Sequence, residues 1–319
     1  ALVMPTVICL LARVYTRLKG DLIAMAEQLL GGLAAKFICL YYLIMFFSLA
    51  VLWAREFAED TLITALPRAE FNFVVLWYIL AVVVTAYMGL EVIARATYLI
   101  MPFIIGGIII VLLALYPFYE FKYLFPWQGH GLKSLALQSI SLIGGGAGSI
   151  ILIIFAPSFQ NERTIKKGAI FGIISSAALR GFSMLIFIMV FGPRLAMEKT
   201  LPFYEMARLV YFNRYVQRIE SLFIIVWVAV GIIAITVCFF TGLYLLARLA
   251  DLPTIRPLIP AMAVIISQLV IIPPDVTTAV NIIVKLYTFY NIVGVVIIPG
   301  VILLTAMVKG RRKTACTGK

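Results

Sequence analysis

Four glycines and a serine stand within six positions of the stretch SLIGGGAGSI at 141–150: Gly144, Gly145, Gly146, Gly148 and Ser149. Glycine disfavours a helix interior by roughly 1 kcal/mol relative to alanine, yet this run sits in the middle of an apolar segment. Two readings fit. A helix that breaks at membrane depth frees backbone N–H and C=O groups, and such groups hold a substrate carboxylate or an ion. Glycine permits positive φ and close approach of a ligand, and successive N–H groups form a nest for an anion. Alternatively, Gly144 and Gly148 form a small-residue pair spaced for close helix packing.

Other residues bear on the same chemistry. Arg180 falls near the centre of an apolar run, where a charge marks a functional candidate able to pair with a carboxylate or with free carbonyls. A water-filled vestibule is the alternative setting for it. Tyr42 and Phe46 lie along the apolar stretch 37–54, and Thr236 lies along 219–246. They either line a ligand cavity or pack between helices. The candidate ligand-binding set is therefore Gly144, Gly145, Gly146, Gly148, Ser149, Tyr42, Phe46 and Thr236.

These residues need helices to position them. The chain is 64% hydrophobic and 13% charged, with a mean hydropathy of +1.10, whereas soluble domains keep about a quarter of their residues charged. The expected fold class is an all-α polytopic membrane protein, a single membrane domain over 1–319. Cys9, Cys39 and Cys238 sit in apolar runs without CxxC spacing, and His130 is the only histidine. No metal site, cofactor or catalytic residue is expected, and the chain is not read as an enzyme.

Apolar runs predict nine spans, at 1–15, 37–54, 72–90, 97–116, 136–156, 168–192, 219–246, 257–273 and 284–308. Fifteen helical residues cover about 22 Å, short of the roughly 30 Å hydrocarbon core. With Ala1 at the start, the expectation is a chain that begins inside a helix. Placing KGRRK (309–313) in the cytoplasm puts fifteen basic and five acidic residues on that side and nine of each on the other. That satisfies the positive-inside rule. The net charge of +12 is thus a topology signal and not a nucleic-acid surface.

Three connections carry patterns of their own. Residues 20–33 suit a short interfacial helix on the cytoplasmic face, with apolar residues at 22, 23, 26, 29, 30 and 33. Residues 117–135 form an aromatic-rich outer loop. Residues 200–218 suggest an outer amphipathic helix that starts after Pro202.

The order and spacing of GLEVIAR (89–95), LPFYEMARLV (201–210), VQRIESLFIIVW (216–227) and IRPLIP (255–260) resemble the spore germination permease family. This is the B subunit of bacterial nutrient germinant receptors, within the amino acid–polyamine–organocation (APC) superfamily. The resemblance implies ten helices in two inverted repeats of the APC/LeuT-like kind, with the first and sixth broken around a central site. SLIGGGAGSI then falls in the sixth helix, and the first helix lies outside this chain, leaving nine visible spans of an expected ten. Relatives carry an acid just after the sixth-helix break. Here Ser149 stands near that place, and 136–156 contains no acid.

The resemblance further implies a small nutrient ligand, most simply an amino acid, other germinant-receptor subunits as partners, and residence in the lipid bilayer of the spore's inner membrane. Glu205, Arg208, Arg218 and Glu220 are expected to organise the outer vestibule or a partner contact. Three functions compete. They are a nutrient sensor, a secondary amino-acid transporter, and a structural or pore-forming subunit with no ligand of its own.

Overall fold

The computed structural model describes residues 3–18, 20–125, 131, 146, 148–210 and 219–316. The elements are α1 (Val3–Leu18), α2 (Leu22–Leu30), α3 (Gly32–Thr64), α4 (Phe71–Met88), α5 (Leu90–Ala114), α6 (Ile151–Ile154), α7 (Glu162–Glu198), α8 (Pro202–Leu209), α9 (Ile219–Leu249), α10 (Leu258–Ile271), α11 (Val276–Lys285) and α12 (Ile298–Cys316). Two π-helical turns, Leu286–Tyr290 and Val293–Ile297, join α11 to α12. No strand occurs among the described residues.

Within α3, α4, α5, α7 and α9, five helices are long and apolar enough to cross a membrane. This is a polytopic all-α membrane protein. Five of the nine expected spans, 37–54, 72–90, 97–116, 168–192 and 219–246, fall on these helices and differ from them at their ends, and a sixth is reached only if α10 and α11 count as one bent span. The expected span 37–54 is the middle of a 33-residue helix. The last expected span starts at 284, but the helix begins at Val276, after a 110° turn from α10. Asp275 caps that turn by accepting the Thr278 N–H at 2.6 Å. This bond holds the Asp275 carboxyl below its usual range. Gly89, at φ 89°, alone separates α4 from α5. The expected span 168–192 reaches the kink at Gly192, φ 71°, ahead of Pro193, and a further turn follows. Of the expected span 136–156, only 146 and 148–156 are described.

α3 is the axis of the bundle. Its most apolar window is 56% buried, against 11% for α5. α5 turns Tyr98, Leu99 and Phe103 outward, a face suited to lipid and not to water. α3 packs along α9 at two glycines. A Cβ on Gly231 would stand 2.6 Å from the Phe57 ring, and one on Gly242 would stand 2.6 Å from the Phe47 ring.

The C-terminal end of α3 runs past the expected span. Arg55, Glu56, Glu59 and Asp60 lie beyond 54, but they continue the helix. Arg55 is buried. It pairs with Glu59, donates to the Pro274 carbonyl at 3.0 Å and stands 4.0 Å from the centre of the Phe71 ring. Charges that find partners inside the protein need not stop a membrane helix at the headgroups.

The helix expected in 20–33 exists as α2. Leu22, Ile23, Ala26 and Leu29 are buried as the spacing requires, while Leu33 is exposed. The element is clamped at both ends and does not merely float at the interface. Asp21 caps its start by accepting the Ala24 N–H at 2.7 Å. Lys309 of α12 donates to the Leu29 carbonyl at 2.8 Å. After α5 come two 3₁₀ turns, Tyr116–Phe118 and Phe121–Leu124, and the second packs against α7. There Glu120 N–H bonds the Met189 carbonyl at 3.1 Å. The Tyr123 ring lies 3.4 Å from where a Cβ on Gly192 would stand.

Candidate functional site

The glycine segment is described from Gly146 onward, except for residue 147. Gly144 and Gly145 lie outside the described residues. Gly148, Ser149 and Ile150 form a 3₁₀ turn, and a single α-turn, α6, follows. A second 3₁₀ turn, Ala156–Ser158, ends the stretch. The Ser149 hydroxyl donates to the Gly146 carbonyl at 2.6 Å. Gly146 is pressed against α1, since a Cβ there would meet Met4 Cγ at 3.0 Å. At its far end the segment packs Phe155 at a tilt against Tyr244 of α9, with ring centres 5.1 Å apart. So α1 and α9 flank the described part of the segment.

Tyr42, Phe46 and Thr236 do not face an open cavity. All three are fully buried. The Tyr42 hydroxyl donates to the Gly294 carbonyl at 2.5 Å. Its neighbour Tyr41 donates to the Tyr290 carbonyl and stacks on the Tyr290 ring at 4.6 Å. Both carbonyls belong to the π-helical turns, whose wide spacing loosens the regular hydrogen-bond ladder. The two tyrosines of α3 thus bind the irregular part of the last helix. Thr236 bonds back to the Ile232 carbonyl at 2.6 Å, an ordinary way for a helical threonine to satisfy itself. All three belong to the packed interior. Tyr42→Phe removes a donor from a buried carbonyl, so a loss of about 1–3 kcal/mol is expected. Thermal unfolding of the detergent-solubilised protein reads that loss.

Arg180 lies on an exposed face of α7, and no ion pair joins it to a described residue. The outer set comes together in part. Glu205 of α8 pairs with Lys199 at 3.4 Å and with Arg208 at 3.9 Å, and Arg208 leans over Tyr204. Arg218 lies outside the described residues. Glu220 sits in the first turn of α9, and its side chain is likewise not described.

Sequence reasoning missed two arrangements. The first is an aromatic ladder. Phe203 of α8 stacks on Phe223 of α9, Phe223 on Trp227, and Trp227 meets Phe57 of α3, with ring centres 6.5, 5.7 and 5.2 Å apart. The Trp227 indole lies beside the buried carboxyl group of Asp60. Phe203, Phe223 and Trp227 are the aromatic letters of PFYE and of RIESLFIIVW, so those stretches meet in space. The signal available was the four-residue spacing of Phe223 and Trp227 on one helix face. The second is Asp21, only 1% exposed. It accepts from Ala24 N–H, from the Tyr244 hydroxyl at 2.9 Å and from Arg248. Tyr244 and Arg248 lie more than two hundred positions away, and no local pattern points to them.

Among the described residues, no group of His, Cys, Asp and Glu is placed to hold a metal ion. A family model described as "Spore germination protein" matches residues 1–279. No curated protein and no solved structure matches the chain.

Proposed function

Because the chain belongs to the spore germination protein family, we propose that it is the membrane subunit of a nutrient germinant receptor in the inner membrane of a bacterial spore. It binds a small nutrient of the amino-acid class at the glycine segment and signals to the other receptor subunits. The observation that carries the reading is the backbone from Gly148 to Ser158. It passes from a 3₁₀ turn to one α-turn and back within an apolar run. A continuous α-helix consumes its N–H groups, whereas an interrupted one leaves some for a carboxylate.

Gly144, Gly145, Gly146 and Gly148 give the ligand close access to the backbone, and Ser149 supplies a hydroxyl. Tyr42, Phe46 and Thr236 hold the surrounding helices. Glu205, Arg208, Arg218 and Glu220 shape the outer approach, with the aromatic ladder behind Glu205. The C-terminus is cytoplasmic. A ligand shifts such a bundle only by binding one of its arrangements better than the other.

Binding and uptake of labelled L-alanine, measured side by side in proteoliposomes, test this. Saturable binding without net flux is expected. Gly146→Leu drives a side chain into Met4 and should weaken binding roughly tenfold or more, about 1.4 kcal/mol. Net flux would make the protein a secondary transporter. Neither binding nor flux, in protein shown to be folded, would remove the ligand site from the reading.

A further inference from the structure

A cleft of about 470 Å³ opens where α2, the start of α3 and the end of α9 meet. It lies at the end of the bundle that carries α2 and Lys309, far along α3 from Asp60. Its floor is apolar and buried, formed by Ile23, Ala35, Cys39 and Ala247, and its rim carries Glu27, Lys36, Arg248 and Asp251. The volume falls within the range of small-molecule sites.

The charges of this rim divide into two classes. Arg248 is matched by the buried carboxylate of Asp21 behind the wall. That pair is part of the frame. Glu27, Lys36 and Asp251 are exposed, and none forms an ion pair with a described residue. Asp251 is moreover the only non-glycine described residue with positive φ, at 52°. The turn that ends α9 holds it there, with Leu252 N–H on the Ala247 carbonyl at 2.8 Å. A left-handed residue closing a helix in this way is an ordinary C-cap, and it fixes Asp251 at the rim.

From this we infer that the cleft binds a small zwitterion, with Lys36 taking the anionic group and Glu27 and Asp251 the ammonium. The three unmatched charges disfavour the simpler classes. A phosphate dianion would face two carboxylates, and a bare cation would face Lys36. A ligand that carries both signs complements all three. A free amino acid has that chemistry, and so does a phosphoethanolamine headgroup. The inference does not rest on the glycine segment.

The test uses Leu252, which lines the cleft without a part in binding. Leu252→Cys, in a Cys9→Ser/Cys316→Ser background, is labelled with a charged methanethiosulfonate reagent in lipid nanodiscs. In phosphatidylglycerol nanodiscs, millimolar glycine or L-alanine should slow labelling by about fivefold, the occupancy factor at roughly four times Kd. If the occupant is a headgroup, admixed phosphatidylethanolamine gives that slowing without added amino acid. Either protection should vanish in Lys36→Gln and in Asp251→Asn and persist in Gly146→Leu. Persistence there separates this cleft from the glycine segment. Unchanged labelling would overturn the inference. So would equal protection by inorganic phosphate or tetramethylammonium, or protection that survives both charge variants.

Discussion

Asp21→Ala is expected to destabilise the folded protein by about 2–4 kcal/mol. Two losses combine. The α2 cap disappears, typically about 1 kcal/mol. Arg248 also loses its carboxylate, and breaking a buried ion pair by removing one partner costs about 3–5 kcal/mol. The second term needs a discount, because the Arg248 side chain is 30% exposed and water recovers part of its solvation. Denaturant-induced unfolding in detergent micelles measures the total. Asp21→Asn keeps an acceptor for the Ala24 N–H and isolates the charge, so its loss should be smaller. In Asp21→Ala/Arg248→Met both charges are gone. The double variant should be less damaged than the sum of the single ones, with a coupling of about 1–3 kcal/mol. Additive losses would mean that the cluster does not tie α2 to α9.

The same cluster shows what a sequence conveys and what it withholds. Helix positions were legible because lipid demands long apolar runs, and α3, α4, α5, α7 and α9 all fall where the runs are. Their ends were not, because a hydropathy pattern follows the apolar middle of a helix. It drops at Arg55, although the helix runs on to Thr64. The pattern cannot register that Arg55 finds Glu59, the Pro274 carbonyl and the Phe71 ring inside the protein. Tyr42 was legible as a polar side chain in an apolar span. Its partner was not, because a π-helical turn in another helix leaves no mark at position 42. Glu205 and Arg208 were legible as charges at helical spacing, and the structure pairs them. Asp21, by contrast, stands in the sequence as one acid in the stretch before α3, with nothing to mark it. Its fit to Tyr244 and Arg248 is a property of the folded bundle.

The contact between α3 and α9 leads to the second large effect. Alanine is a better helix former than glycine by about 1 kcal/mol, so Gly231→Ala would stabilise an isolated α9. In the bundle the sign reverses. The new methyl would stand 2.6 Å from Phe57 Cδ1, 2.7 Å from Cγ and 3.2 Å from Cβ. These atoms lie at the root of the side chain, and a rotamer change cannot carry the root away. α3 itself would have to shift, against a close-packed interface. Overpacking of this kind costs about 1–3 kcal/mol, so a net loss of about 1–2 kcal/mol is expected. Gly242→Ala meets Phe47 at Cε1, Cδ1 and Cζ, toward the tip of the ring, and a swing of that ring relieves it in part. Thermal unfolding should therefore rank wild type above Gly242→Ala and Gly242→Ala above Gly231→Ala. Phe57→Ala removes Cγ and Cδ1, the two atoms that clash most closely, so Gly231→Ala should cost less in that background than in wild type. A Gly231→Ala protein more stable than wild type would show that α9 does not approach Phe57 this closely. It would also remove the support on which Trp227, and with it the ladder to Phe203, is placed.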